Sequence, residues 1–172
     1  VAHHNSLLTL GIKPTRPDTG YGYIQYDAEQ EIDKTYRVKT FTEKPSLELA
    51  RTFLKSGDFL WNSGIFVWNV QTIMDALEHY MPEMHEVFLQ AKDVYNTPSE
   101  HDMITKLYPH CTNISIDYGI MEKADNVYVR SSIIGWSDLG TWGSLYDHVK
   151  QDADHNAVVG KNVMLYDSKN CI

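Results

Sequence analysis

The sequence has few cysteines and no long apolar run. Its two cysteines, Cys111 and Cys171, stand far apart and form no CxxC or His-rich spacing, which argues against a disulfide framework and a zinc site. We therefore expect a reduced cytoplasmic protein. No apolar run approaches the roughly 18 residues of a membrane span, and the first residues lack the pattern of a secretion signal. No membrane association is expected.

The sequence also lacks an excess of positive charge. Fifteen Lys and Arg residues against 23 Asp and Glu residues give a formal net charge of -8. Nucleic acid and anionic membranes are bound by clustered Lys and Arg. We therefore expect no nucleic-acid partner, and any bound phosphate must be held locally.

The 172 residues, 42% of them hydrophobic, are enough to bury a core. Predicted strands alternate with predicted helices, which indicates an α/β sheet covered on both faces. Strands are expected at 7–12, 21–26, 36–41, 64–68 and in NVYVRSSII. Helices are expected after Ser46 (ending at Gly57), Asn69, Pro82 (reaching Tyr95) and Thr97 (ending near Tyr108), and in SIDYGIMEKA and TWGSLYDHV.

The end of the chain has a different pattern. From Asn156 the sequence consists of short strand-and-turn units, and it stops inside an apolar segment, while its start enters a strand within six residues. We expect a fragment of a longer protein, divided into a main portion at 1–155 and the start of a β-rich extension at 156–172.

The stretch FTEKP places an acid next to a base where a predicted strand ends. A carboxylate such as Glu43 accepts hydrogen bonds from sugar hydroxyls, and the Lys44 ammonium can meet a phosphate as a point charge. Neighbours on a strand point to opposite faces, so only a terminal twist or bulge would let both reach one pocket. The alternative is a solvated surface pair, which is common for charged residues.

Glycines stand beside polar groups at the entry to two apolar strands, in TGYGYIQYD and in WNSGIF. At such points the backbone can come close to a ligand. Asn62 offers both a donor and an acceptor, which suits a hydroxyl group, and Ser63 and Gly64 follow it. The alternative is a tight turn in which Asn62 and Ser63 satisfy their own backbone.

The stretch GWSDLGTW holds one carboxylate, Asp138, directly before a predicted helix. One carboxylate at the mouth of a site can hold Mg²⁺, which keeps several waters and takes other ligands from phosphates. The alternative is that Asp138 caps the helix. A magnesium site here would need a second carboxylate.

The order of five stretches resembles the sugar-phosphate nucleotidyltransferases: LGIKPTRPDTGYGYI, FTEKP, WNSGIFVW, SIDYGIMEK and GWSDLGTW. The likeness runs from about Leu7 to Ile172 and is greatest to members that use GTP and mannose 1-phosphate. It implies an α/β fold of the nucleotide-diphospho-sugar-transferase type, in which helices flank a Rossmann-like mixed sheet. It also implies that 156–172 starts a β-rich C-terminal extension, through which a homodimer would form.

The resemblance implies roles for the matching residues. Glu43 would bind mannose hydroxyls and Lys44 the phosphate, while Gly22, with Tyr21 beside it, would bring backbone groups against the sugar. Asp138 would be one of two aspartates that hold the catalytic Mg²⁺. The residues that would close or line the other side of the sugar site are Asn62, Ser63, Gly64 and Asp117.

The implied reaction is attack by the sugar-phosphate oxygen on the α-phosphorus of GTP, which gives GDP-mannose and pyrophosphate. It needs no covalent protein intermediate, and no Ser-His-Asp or Cys-His arrangement stands out. The family's Gly-rich nucleotide loop and its second metal-binding Asp are missing from this sequence, so we expect the chain alone to be inactive. Two alternatives stay open: another hexose 1-phosphate with UTP or dTTP, and a non-catalytic sugar-phosphate-binding or assembly module.

Overall fold

The computed structural model describes residues 5–172. They separate into two compact units, 5–133 and Ile134–Ile172. The predicted division after residue 155 stays a prediction, and residues 1–4 of its first part lie outside the described residues. None of the helices formed by 5–172 is both long and apolar enough to cross a membrane.

The strands of the first unit form one mixed sheet. In chain order they are β1 Leu7–Ile12, β2 Tyr23–Ile32, β3 Thr35–Thr42, β4 Phe59–Val67 and β5 Val127–Ser132. The sheet has the strand order β1-β4-β2-β3-β5 and closes into a barrel because β5 also pairs with β1. The β1–β5 pair is parallel and the other pairs are antiparallel. The mixed α/β sheet is confirmed; its closure joins strands far apart in the chain, which local patterns do not reveal.

Helices lie between and after the strands. They are α1 Leu47–Ser56, α2 Val70–Tyr80, α3 Pro82–Leu89, α4 Glu100–Leu107 and α5 Trp142–His148, with a 3₁₀ turn at Tyr108–His110 and a π-helix at Asp117–Met121. Two predicted caps are confirmed: the Ser46 side chain accepts from the Leu49 amide, and that of Asn69 accepts from the Thr72 amide. Gly57 ends α1 in the left-handed conformation, with φ 81°, which glycine adopts without steric cost.

Four predictions about where elements begin or end differ from the structure. The strand expected at 21–26 begins at Tyr23 and continues to Ile32. The strand expected at 64–68 is longer and begins at Phe59, and the helix from Pro82 ends at Leu89 rather than near Tyr95. The predicted cap at Thr97 is wrong. Its hydroxyl donates to the Val94 carbonyl at 2.6 Å and so closes a turn, and α4 begins later, after Ser99.

The core joins the strands of the sheet to helix α2 and the π-helix. Leu7, Ile24, Leu60 and Val129 from four strands are buried there, and α2 and the π-helix contribute apolar side chains to the same cluster. Burial of such side chains stabilises the fold by about 1.5–3 kcal/mol each. The core therefore holds the strands, on which the candidate site is built, in fixed positions.

The second unit contains α5 and a series of turns. The Asn156 side chain is buried there and bonds to Asp152, Ser168 and Cys171. Residues 156–172 form bends and turns, and an isolated bridge joins Gln151 to Ala157. The start of a β-rich extension at 156–172 stays a prediction.

Candidate sugar-phosphate site

The start of β2, the end of β3 and an inner part of β4 lie side by side in the barrel. Tyr23, the first residue of β2, is paired with Thr42 on β3 and with Trp61 on β4. The residues next to these, Gly22, Glu43 and Asn62, are therefore brought together. The backbone N–H of Asn62 donates to the carbonyl oxygen of Gly22 at 2.8 Å.

Gly22 lies directly against the Glu43 carboxylate. A Cβ at this position would be only 2.3 Å from Glu43 Oε2 and 3.3 Å from the Cβ of Asn62. Any side chain at position 22 would therefore displace the carboxylate, so the glycine allows Glu43 to lie where it does.

Glu43 and Lys44 follow the last residue of β3. Lys44 has φ 46°, so the chain leaves the strand conformation at this residue. The side chains of Glu43 and Lys44 therefore need not point to opposite faces and can contact one ligand. The Lys44 ammonium lies 3.9 Å from Glu43 Oε1 and its side chain is 67% exposed, against 17% for Glu43. Such an exposed pair contributes little stability, which leaves the ammonium available to an anion.

The π-helix adds carboxylates to the same region. Asn62 Nδ2 donates to Asp117 Oδ1 at 2.8 Å. Burial, and then the neighbouring Asp117 carboxylate, raises the pKa of Glu43, and the same two causes raise the pKa of Glu122. We call Glu43, Asp117 and Glu122 the carboxylate cluster. It presents several hydrogen-bond acceptors to a ligand that brings hydroxyl donors.

Strand β4 carries a bulge opposite β1. Between two paired positions β1 advances from Thr9 to Gly11, while β4 runs from Phe66 back to Asn62, so β4 has two more residues than a regular ladder requires. Gly64 in the bulge has φ 69°. This is a conformation that glycine adopts readily.

Side chains replace the missing ladder bonds of the bulge. Ser63 Oγ donates to the Leu10 carbonyl at 2.7 Å and accepts from the Ile65 amide at 3.2 Å. Asn62 Oδ1 accepts from the Gly64 amide at 3.1 Å. The alternative that Asn62 and Ser63 satisfy nearby backbone groups thus describes these contacts, although they lie within a strand rather than in a turn.

Tyr21 is buried beneath the loop that carries Gly22. Its ring meets the Trp61 ring edge-on at a centroid distance of 5.0 Å, and its hydroxyl accepts from Arg16 Nη2 at 3.1 Å. The Arg16 guanidinium lies 5.3 Å from the Trp61 ring centroid, within cation–π range. These contacts fix the loop beside Gly22.

Asp138 belongs to the second unit. Its Oδ1 accepts from the Gly140 amide at 2.9 Å, whereas the N-cap of α5 is Thr141, whose hydroxyl accepts from the Ser144 amide. The alternative that Asp138 caps this helix is therefore wrong. Within 5–172 no group of three or more His, Cys, Asp or Glu residues could hold a metal ion. Asp138 would supply one oxygen ligand of the kind that Mg²⁺ takes, and a second carboxylate would still be needed.

Two residues of the site were not predicted. Thr9 is buried in β1 with its hydroxyl 3.3 Å from Asn62 Oδ1, and Glu122 joins the carboxylate cluster. The signal for Thr9 was a polar residue inside the apolar run LLTLGI. No sequence signal pointed to Glu122, because its approach to Asp117 depends on the π-helix.

Comparison with known proteins places the chain in a family. The sequence model described as Nucleotidyl transferase matches residues 1–155. The chain is 35% identical to mannose-1-phosphate guanylyltransferase of Escherichia coli, over 98% of this chain and 37% of that protein. It is 33% identical to the alginate biosynthesis protein AlgA of Pseudomonas aeruginosa, over 99% of this chain and 36% of that protein. The chain thus spans little more than a third of these relatives.

Solved structures agree with the sequence comparison. The crystal structure described as mannose-1-phosphate geranyltransferase from Thermus thermophilus superposes with a TM-score of 0.76 at 33% identity, covering 93% of this chain and 45% of that one. Mannose-6-phosphate isomerase from Helicobacter pylori gives a TM-score of 0.66 at 28% identity, covering 80% of this chain and 54% of that one. With a family model that matches residues 1–155, the chain belongs to the nucleotidyl transferase family.

Proposed function

We propose that the full-length protein transfers a guanylyl group from GTP to mannose 1-phosphate, giving GDP-mannose and pyrophosphate. In this proposal the chain supplies the part of the site that binds the sugar phosphate. The main observation behind this proposal is that Glu43, Asp117 and Lys44 come together beside the backbone of Gly22. The similarity to mannose-1-phosphate guanylyltransferase of Escherichia coli and the match to the family support it.

The arrangement suits a phosphorylated hexose. Carboxylates of the cluster would accept hydrogen bonds from sugar hydroxyls, and the exposed Lys44 ammonium would bind the phosphate. The formal net charge of the chain is -8, so a local cation is needed to hold an anion here. Catalysis would then rest on holding the sugar-phosphate oxygen in line with the α-phosphorus of GTP and on neutralising charge.

Magnesium and the wider context are part of the proposal. Mg²⁺, when bound, would neutralise phosphate charge, and Asp138 is the residue of this chain that we assign to hold it. We further propose a cytoplasmic location, in keeping with the free thiols of Cys111 and Cys171, and a homodimer formed through the segment after residue 155. Small molecules, rather than nucleic acid or membranes, are the proposed partners.

The test is pyrophosphate release by the full-length protein. We expect turnover with GTP and mannose 1-phosphate in the presence of Mg²⁺, and at least about tenfold lower kcat/KM for glucose 1-phosphate with UTP or dTTP. Turnover confined to UTP or dTTP would contradict the substrate assignment. Binding of mannose 1-phosphate without turnover by any nucleotide would favour the non-catalytic module.

A further inference from the structure

We propose that Thr9 is a positioning residue for the sugar-phosphate site. Its buried hydroxyl fixes the orientation of the Asn62 amide and, through that amide, the Asp117 carboxylate. The inference rests on the proposed function, because its main readout is the binding of a sugar phosphate.

The Thr9 side chain lies where it can act only through another residue. Thr9 is 0% exposed in the middle of β1. Its Oγ1 is 3.3 Å from Asn62 Oδ1 and 3.3 Å from the Ile65 carbonyl oxygen. The hydroxyl has one proton and two acceptors, and both acceptors belong to the bulge of β4.

The Asn62 amide is held by different partners at its two ends. Its oxygen faces two donors, the Thr9 hydroxyl and the Gly64 amide. Its nitrogen donates to Asp117 Oδ1. A flipped amide would place its nitrogen against the Gly64 N–H and its oxygen against a carboxylate. The Gly64 N–H and the Asp117 carboxylate select this orientation. The Thr9 hydroxyl, when its one proton goes to Asn62 Oδ1 rather than to the Ile65 carbonyl, gives that oxygen a second donor and holds the selected amide in place.

Asp117 in turn belongs to the carboxylate cluster. Asn62 lies between two members of this cluster: its side-chain nitrogen donates to Asp117 Oδ1 at 2.8 Å, and its Cβ and the Glu43 carboxylate both lie against Gly22. An Asp117 carboxylate released from Asn62 would rotate and no longer present its oxygens to a hydroxyl in a fixed direction. Loss of the Thr9 hydroxyl should therefore weaken sugar binding without removing any group that touches the sugar.

The variants separate the hydroxyl from the volume of the side chain. Thr9→Val keeps the volume and loses the hydroxyl, whereas Thr9→Ser keeps the hydroxyl and loses a methyl group. In the full-length protein we expect Thr9→Val to raise KM for mannose 1-phosphate about 3- to 10-fold, the factor of one neutral hydrogen bond. The kcat and the KM for GTP should change by less than about twofold. Thr9→Ser should bind mannose 1-phosphate as the wild type does.

Two outcomes would overturn the proposal: an unchanged KM in Thr9→Val, or an equal rise in KM in Thr9→Ser. If Thr9→Val does not fold, Thr9→Ser and Thr9→Ala form the decisive pair, because both lack the methyl group and only one has the hydroxyl. Equal KM values in that pair would refute a role of the hydroxyl. If the wild type prefers another sugar phosphate, the proposed function fails, and the same variants are measured with that substrate.

Discussion

A single methyl group at Gly22 should disable the site while leaving the fold intact. Gly22→Ala would place a Cβ 2.3 Å from Glu43 Oε2. Carbon and oxygen rest no closer than about 3.3 Å, so the carboxylate must retreat by about 1 Å. Gly22 does not have a positive φ, and therefore the backbone accepts alanine. A displacement of about 1 Å in a positioned group can reduce the rate by about 10²-fold.

The assay is kcat/KM for mannose 1-phosphate in the full-length protein, together with the melting temperature. We expect a loss of about 10²-fold in kcat/KM. The stability cost should stay below the roughly 1–3 kcal/mol of an overpacked core, because the atom in the way ends a flexible side chain. Wild-type kcat/KM in Gly22→Ala would refute the reasoning that Glu43 must lie where it does.

Two control variants accompany this test. Gly20→Ala changes the same loop at an exposed position, where the nearest atom is Asp18 Oδ1 at 3.3 Å, and should leave kcat/KM unchanged. Gly57→Ala forces alanine into φ 81° at the end of α1 with no atom within 4 Å. It should lower the free energy of unfolding by about 1 kcal/mol without affecting catalysis. A loss of activity in either control would point to a general effect of the substitution.

Three further predictions concern the charged residues. Lys44→Ala should weaken mannose 1-phosphate binding by about 1.5–3 kcal/mol in titration calorimetry, with exposed Lys55→Ala as an inert control; unchanged affinity would remove Lys44 from the site. Burial and the Asp117 carboxylate raise the pKa of Glu43 in the folded protein above its ordinary value of 4.5. The free energy of unfolding of the wild type should therefore fall as the pH rises from 4.5 through the raised pKa of the folded state. Glu43→Gln should flatten that fall in urea unfolding measured across pH, and an unaltered pH dependence would argue against it. Asp138→Asn should lower Mg²⁺-dependent turnover at least about tenfold with an unchanged melting temperature; full activity would exclude Asp138 as a metal ligand.

Local structure was predictable where one residue contacts another a few positions away. The caps at Ser46 and Asn69 each involve an amide three residues along the chain, and the apolar run of β1 needs only its own pattern. The same local reading brought out Glu43 and Lys44, since the proline after them marks the strand end.

The WNSG stretch shows where local reading fails. Polar residues before a glycine are typical of a turn, and a strand was expected only from Gly64 onward. In the structure Phe59, Leu60 and Trp61 already belong to β4, and the polar residues occupy its bulge. A bulge is defined by two strands together, so it could not be seen in one of them.

The π-helix accounts for Glu122. In an α-helix, residues five apart point in different directions, so a helix predicted at SIDYGIMEKA gives no reason to bring Asp117 and Glu122 together. The Glu122 amide instead donates to the Asp117 carbonyl at 2.9 Å, five residues back, which brings the two acids near each other. No residue preference distinguishes this rare geometry, although it is frequent at functional sites.

The extra pair of residues in β4 makes the length of this strand a constraint on how the protein can evolve or be engineered. Side chains alternate between the two faces of a strand. Deletion of one residue among Ser63, Gly64 and Ile65 would exchange the two faces in the rest of the strand and turn Phe66, which packs against the core, away from it. Deletion of two would keep the alternation and restore an unbroken ladder with β1. Such a shortened protein should fold and yet lose the bulge from which Asn62 reaches Asp117.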